Sequence, residues 1–180
     1  MNNVLLITAE KVKTYSEISD NVFEKNLLPA IMTAQNIYLQ QIIGTCLYRK
    51  LQDMVVTQDI MLEENVAYKD LLDNHITNYL IERVIADLIP IVGNKISNLG
   101  IYKSNDEYAQ NISADEVDRL QYQHIVRSDF YQARMQDFLR ANRSAFPELD
   151  CCKCGELAPN LNSAEDVSIF LGGVRAKRAR

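Results

Sequence analysis

The sequence predicts an all-α fold: a bundle of about four to five helices, with long second, fourth and fifth helices, followed by an extended C-terminal arm. Three observations carry this. Glycine and proline number only 6 and 4 in 180 residues, so few positions break a helix. Apolar residues recur at three- and four-residue spacing over several long stretches, the period of one helix face. The chain is also long enough for one domain with a real core, and its 47% apolar and 24% charged residues are ordinary for a soluble globular protein. Residues 1–149 are read as the helical domain and 150–180 as the arm.

Thr8 can cap a short first helix over 9–15, its hydroxyl accepting a free first-turn amide, with Val12 and Tyr15 on one side. "SEISDN" interrupts the pattern, and Ser19 or Asp20 can cap the second helix. In that helix Phe23, Leu27, Ala30, Ile31, Ala34, Tyr38 and Ile42 form a core stripe. Leu28, Met32, Leu39 and Ile43 form a second line on a neighbouring face. A helix apolar on two faces is either central in its own domain or shared with another subunit. Pro29 lacks an amide hydrogen and should kink the helix or mark a loose first turn, and Gly44 suits its end.

A shorter helix over 45–55 turns Leu47, Leu51 and Met54 inward. After the polar "TQDIMLEEN", a fourth helix over 66–89 should stop at Pro90 and Gly93. "KISNLGIYKSNDEY" is the least helical stretch, with a turn at Asn98 and Gly100 and a short extended piece at Ile101–Tyr102. The fifth helix, over 114–142, is capped by Ser113. One stripe comprises Val117, Leu120, His124, Tyr131, Met135, Phe138 and Leu139; a second comprises Tyr122, Val126, Phe130 and Ala133. In the arm, "GELAPNLNSAED" reads as loop, "VSIFL" as an edge strand and "GGVRAKRAR" as a flexible basic end.

Little in the chain points to chemistry. Cys151 and Cys154 form a C-x-x-C pair followed by Gly155, the shape of one zinc knuckle, but zinc needs four ligands and no second knuckle follows. Cys46 is distant in sequence, so ordinary reduced cysteines are the expectation, with no cofactor and no metal. His75 and His124 sit on helix stripes as core or interface residues. No phosphate loop, dinucleotide fingerprint or nucleophile–base set is present, and the carboxylates are dispersed. The chain is therefore read as a non-enzyme.

No apolar run reaches the ~20 residues that span a bilayer, so no membrane partner is expected. The N-terminus lacks the basic and apolar regions of a signal peptide. Crowded cysteines do not make a secreted disulfide framework, and a reducing, intracellular site of synthesis follows. The net charge of −5 hides an asymmetry: Arg175, Lys177, Arg178 and Arg180 all lie in the last seven residues, leaving about −9 on the remainder. An acidic body does not grip nucleic acid over its surface, although the tail alone could contact DNA, RNA or an acidic partner. Nine tyrosines and no tryptophan suit core margins and subunit contacts, where a large ring keeps a polar tip.

The order of motifs carries a resemblance. "LITAEKVKTYSEISDN" leads into "LLPAIMTAQNIYLQQIIGTCLYRKL", then "YKDLLDNHITNYLIERVIADLIP", "KISNLGIYKS" and a long helix ending "FLRANRSAFPEL". This resembles the head–tail connector (adaptor) proteins of tailed bacteriophages, in the branch found in phages of Bacteroides-type hosts, including the crAss-like group. In that family a short helix leads through an acidic turn into a long helix with an Ala-Gln pair and a terminal glycine, here Ala34–Gln35 and Gly44. The likeness spans about residues 4–149 and does not include "CCKCG" or the tail.

It implies a structural virion protein at the head–tail junction, made in the host cytoplasm. Such proteins form a ring, typically dodecameric, under the portal protein, and carry the next connector ring or the tail. Packaged DNA passes through the channel without specific binding. On this reading the subunit and portal contacts fall on Met32, Leu39 and Ile43 of the long helix and on Val167, Ile169, Phe170 and Leu171 of the arm. Arg175, Lys177, Arg178 and Arg180 of the basic end join them. The alternative from another class is a small helical nucleic-acid-binding regulator anchored by that basic tail.

Overall fold

A computed structural model describes residues 4–16, 24–92, 94–97, 100–103, 113–151 and 156–161, with the backbone alone at 92, 94–97 and 100–103. Helix α1 (Ala9–Thr14) starts as its sequence requires, the Thr8 hydroxyl accepting from the Lys11 amide at 3.1 Å. Val12 is fully buried, but Tyr15 is 69% exposed. The helix ends at Thr14, and the cap geometry of Tyr15 (φ −105°, ψ 15°) takes it out of helical register, so the two do not share a buried side.

The second long element is a broken rod: α2 (Glu24–Thr33), a π turn (Ala34–Leu39) and α3 (Gln40–Thr57), which is two helices meeting at the non-helical Gly44. Pro29 lies inside α2, and the departures from α geometry come later, at the π turn and at Gly44 (φ 79°, ψ 161°). Before that break Leu27, Ile31, Gln35, Leu39 and Ile43 are all fully buried, every fourth residue in one column. In a regular α-helix such a column drifts around the axis by about 40° per step. The wider π turn takes part of that drift back and keeps the column inside.

The expected subunit-facing line is thereby corrected. Leu39 and Ile43 belong to this chain's own core, and Met32 is half-buried beside them. Leu28, at 39% exposure, is the outward member of that line.

After two short 3-10 turns (Asp59–Met61 and Glu63–Asn65) comes a second rod: α4 (Val66–Asp70), a π turn (Leu71–Ile76) and α5 (Thr77–Val92). It runs past Pro90 instead of stopping there, and ends two residues later. Proline removes one amide and crowds the preceding turn, and the Ala86 carbonyl four residues earlier accepts from Gln121 Nε2 instead. Strands β1 (Asn94–Ser97) and β2 (Gly100–Lys103) then pair antiparallel, with Ser97 opposite Gly100. The expected extended piece at Ile101–Tyr102 thus lies in β2, Gly100 begins that strand instead of belonging to a turn, and Asn98 lies outside the described residues.

Helix α6 (Ala114–Ala141) begins with a reciprocal capping box. The Ser113 hydroxyl accepts from the Glu116 amide, and the Glu116 carboxylate accepts from the Ser113 amide at 2.9 Å. These bonds hold the Glu116 carboxyl below its usual range. The helix lies antiparallel along α5. Gln121 Nε2 donates to the Ala86 carbonyl at 3.1 Å, while further on His75 stacks on Phe138 with ring centroids 4.2 Å apart. The "FPEL" turn seals this end. Phe146 is fully buried, edge-on to Tyr68 at 5.2 Å, and the Tyr68 hydroxyl donates to Glu148 at 2.9 Å. The all-α class and the bundle are as the sequence predicts.

Candidate functional site

Two non-helical pieces of the same chain pack against the first rod. At one end Gln35, fully buried, accepts from the Leu6 amide at 3.1 Å and donates to the Val4 carbonyl at 2.7 Å. One side-chain amide thus satisfies two backbone groups of the N-terminal segment, the condition for burying non-helical backbone.

At the other end, residues 156–161 lie across the break at Gly44. The Thr45 amide donates to the Leu157 carbonyl (3.0 Å) and the Asn160 amide to the Ile42 carbonyl (2.9 Å). The Leu157 amide donates to the Thr45 hydroxyl (3.1 Å), and Gln136 Nε2 to the Asn160 carbonyl (2.8 Å). Gly44 is required twice over: its φ lies in the left-handed region, and a Cβ there would stand 2.9 Å from the Pro159 nitrogen. This strap of the arm is fixed on the body.

The strap also gathers cysteine chemistry. Cys46 Sγ donates to the Cys151 carbonyl at 2.7 Å and lies 3.1 Å from a Glu156 carboxylate oxygen, while Arg49 bridges the other Glu156 oxygen at 2.5 Å. Hydrogen bonding with Cys151, then with Glu156, pushes the Cys46 thiol up to about 12. Distance in sequence was therefore a poor guide: Cys46 and Cys151 are neighbours. Cys154 and Cys152 lie outside the described residues. Among the described residues no group of three or more His, Cys, Asp or Glu is placed to hold a metal ion.

His124 is buried, its Nδ1 2.7 Å from Glu82 Oε2 on α5. The pair stands on the wall of a half-open cavity of about 310 Å³, lined also by Thr14, Tyr15, Ser16 and Arg127. A carboxylate that orients an imidazole is one part of general-base chemistry, and here it also clamps α5 to α6. Sequence spacing missed the pair because its acid comes from another helix. His75 has a different environment: burial lowers its pKa, Asp70 works against that shift and Arg134 with it.

The fifth-helix stripes separate except at Leu120. His124, Ser128, Met135, Gln136 and Leu139 face inward and are buried. Tyr122, Val126 and Phe130 stay 66%, 48% and 60% exposed. Leu120, expected in the core, is 40% exposed. Arg134 lies over the Phe130 ring at 5.8 Å, and Tyr131 meets that ring edge-on. The arm residues read as contacts (Val167, Ile169, Phe170, Leu171, Arg175, Lys177, Arg178 and Arg180) lie outside the described residues.

Fold and surface together define a helical bundle whose last long helix keeps an apolar line outward. More particularly, the chain belongs to a family described as a family of unknown function (DUF6712), whose pattern matches residues 39–158. That span opens beside the Gly44 break and closes within the strap bonded across it. No curated protein and no solved structure matches the chain significantly. No helix among the described residues is long and apolar enough to cross a membrane.

Proposed function

We propose that this protein is a non-enzymatic structural subunit of a phage head–tail connector, assembling as a ring (dodecameric by the resemblance) beneath the portal protein. The ring sits in the virion, joins the DNA-filled head to the tail or next connector ring, and continues the DNA channel. The single observation that carries the reading is the exposed Tyr122–Val126–Phe130 line on a helix whose other face is fully used. Contiguous exposed apolar surface marks a site of association. The order of sequence motifs supports the same class, and an acidic body suits a channel through which DNA slides without adhering. The arm beyond the strap is assigned to the portal or a neighbouring subunit, its apolar run Val167–Leu171 docking as an added strand.

The test is assembly on portal-bearing particles. Wild-type protein is expected to bind as rings, and removal of residues 166–180 to leave a folded body that no longer incorporates. Normal incorporation of the truncated chain would remove the arm from the contact. Tight DNA binding that is lost when Arg175, Lys177, Arg178 and Arg180 become Ser would favour the regulator instead.

A further inference from the structure

Besides the α6 line, a second group of apolar residues is exposed. It caps the end of the first rod, where Val56, Met61, Leu62 and Val66 are 61%, 70%, 48% and 62% exposed. Its shape is fixed from within: Ile60 is buried, Thr57 Oγ1 donates to Asp59 at 2.7 Å, and Asn65 Nδ2 donates to the Asp59 carbonyl at 2.8 Å. The two patches do not cover each other. Gln121 is level with Ala86 and Phe138 with His75, so the α6 line sits beside the later part of α5. At 1.5 Å per residue the cap beginning at Val66 lies roughly 20–30 Å further along the rod.

Their charges are complementary. The cap carries exposed Asp59, Glu63 and Glu64, with Lys69 the nearest base in sequence. On the 3.6-residue period, Arg119 and Arg127 flank the α6 line on one side and Asp129 on the other, while Asp118 precedes the line and Arg134 follows it at four-residue spacing. All three arginines are exposed.

We infer that the arginines and apolar line of α6 dock onto the acidic, apolar Val56–Val66 cap of a second copy of this chain. Two different surfaces then meet in a head-to-tail contact, which continues from copy to copy and closes into a ring when the rotation permits. A face-to-face dimer through α6 alone would instead place each patch against itself. The apolar residues supply the attraction, and the charges select the pairing and its direction. This inference rests on the ring reading and names the surfaces it uses.

The test is charge reversal with mixing, followed by native mass spectrometry and sedimentation of the full chain. Glu63→Arg/Glu64→Arg reverses the cap and leaves Asp59, which shapes the turn, in place. Arg119→Glu/Arg134→Glu reverses two of the three arginines around the α6 line. All four positions are exposed, and unchanged helical circular dichroism confirms each fold. Each variant alone sets like charges against each other and is expected to lose the oligomer that wild type forms. An equimolar mixture restores opposite charge at every contact and is expected to reassemble, alternating the two variants. Reassembly should weaken as salt screens the pairs.

A cap-reversed variant that still assembles like wild type overturns the pairing and leaves the ring reading standing. So does a mixture that stays monomeric. A wild-type chain that is monomeric in solution and absent from portal-bearing particles removes both.

Discussion

The two long elements that sequence periodicity marks as apolar on two faces end differently. In the first rod, both apolar lines are buried within the same chain except at Leu28. Gln35 ties the N-terminal segment down, and residues 156–161 close over Gly44. In α6 only one face is buried, and Tyr122, Val126 and Phe130 remain outward. A second apolar face therefore states that something covers it, and the rest of the fold decides whether that cover comes from the chain itself. Core and interface share one composition, so hydrophobic pattern cannot separate them.

Substitutions that differ only in which second face they strike sharpen this contrast. Leu39→Glu places an unpaired charge in a fully buried site, which a domain of about 5–15 kcal/mol total stability does not survive. No cooperative melt is expected by circular dichroism. Phe130→Glu is its counterpart on the outward face and should leave stability within about 0.5 kcal/mol of wild type. If both variants fold equally well, the two faces are alike and the contrast fails.

Next in size is Leu27→Ala, expected to cost about 2–5 kcal/mol as a core truncation, read from denaturant midpoints. Gly44→Ala should follow at about 1–3 kcal/mol, since it strains a left-handed residue and drives a methyl into Pro159. Hydrogen exchange should then rise at the Thr45 and Asn160 amides, which the strap protects. Unchanged exchange there would mean that the strap is not held at this break.

The smallest effect is a pH dependence. Burial depresses the His75 pKa below its usual 6.5, so the unfolded chain takes up the proton first as pH falls. The stability linked to His75 is therefore present above pH 6.5 and declines as pH drops towards and through the folded-state value. His75→Leu should flatten that part of the melting-temperature profile. An identical acid slope in the variant would place its origin elsewhere.

What was legible in the sequence was local. Thr8 and Ser113 announce their caps within three residues, Gly44 marks its break, and "FPEL" marks the end of the long helix. The non-helical middle stretch was also visible, though as a turn and one short extended piece. What stayed hidden depends on partners far along the chain. Nothing near Gly44 names the strap more than a hundred residues away, and nothing near Cys46 names Cys151. The π turns escaped because one extra residue in a turn shifts the stripes without breaking their period. Leu39 and Ile43 were consequently placed on an intersubunit face when they belong inside. For α6 the period revealed both stripes, but only the packing on α5 showed which one is outward.

The most direct measurement is the mass of the assembled species for wild type and for a Val126→Glu/Phe130→Glu variant, by native mass spectrometry with circular dichroism alongside. Wild type is expected as a multi-subunit species and the variant as a monomer, with the same helical signal and the same melting temperature in both once dissociated. The opposite result is a wild type that is monomeric at every concentration and absent from portal-bearing particles, or a doubly charged α6 variant that assembles as wild type does.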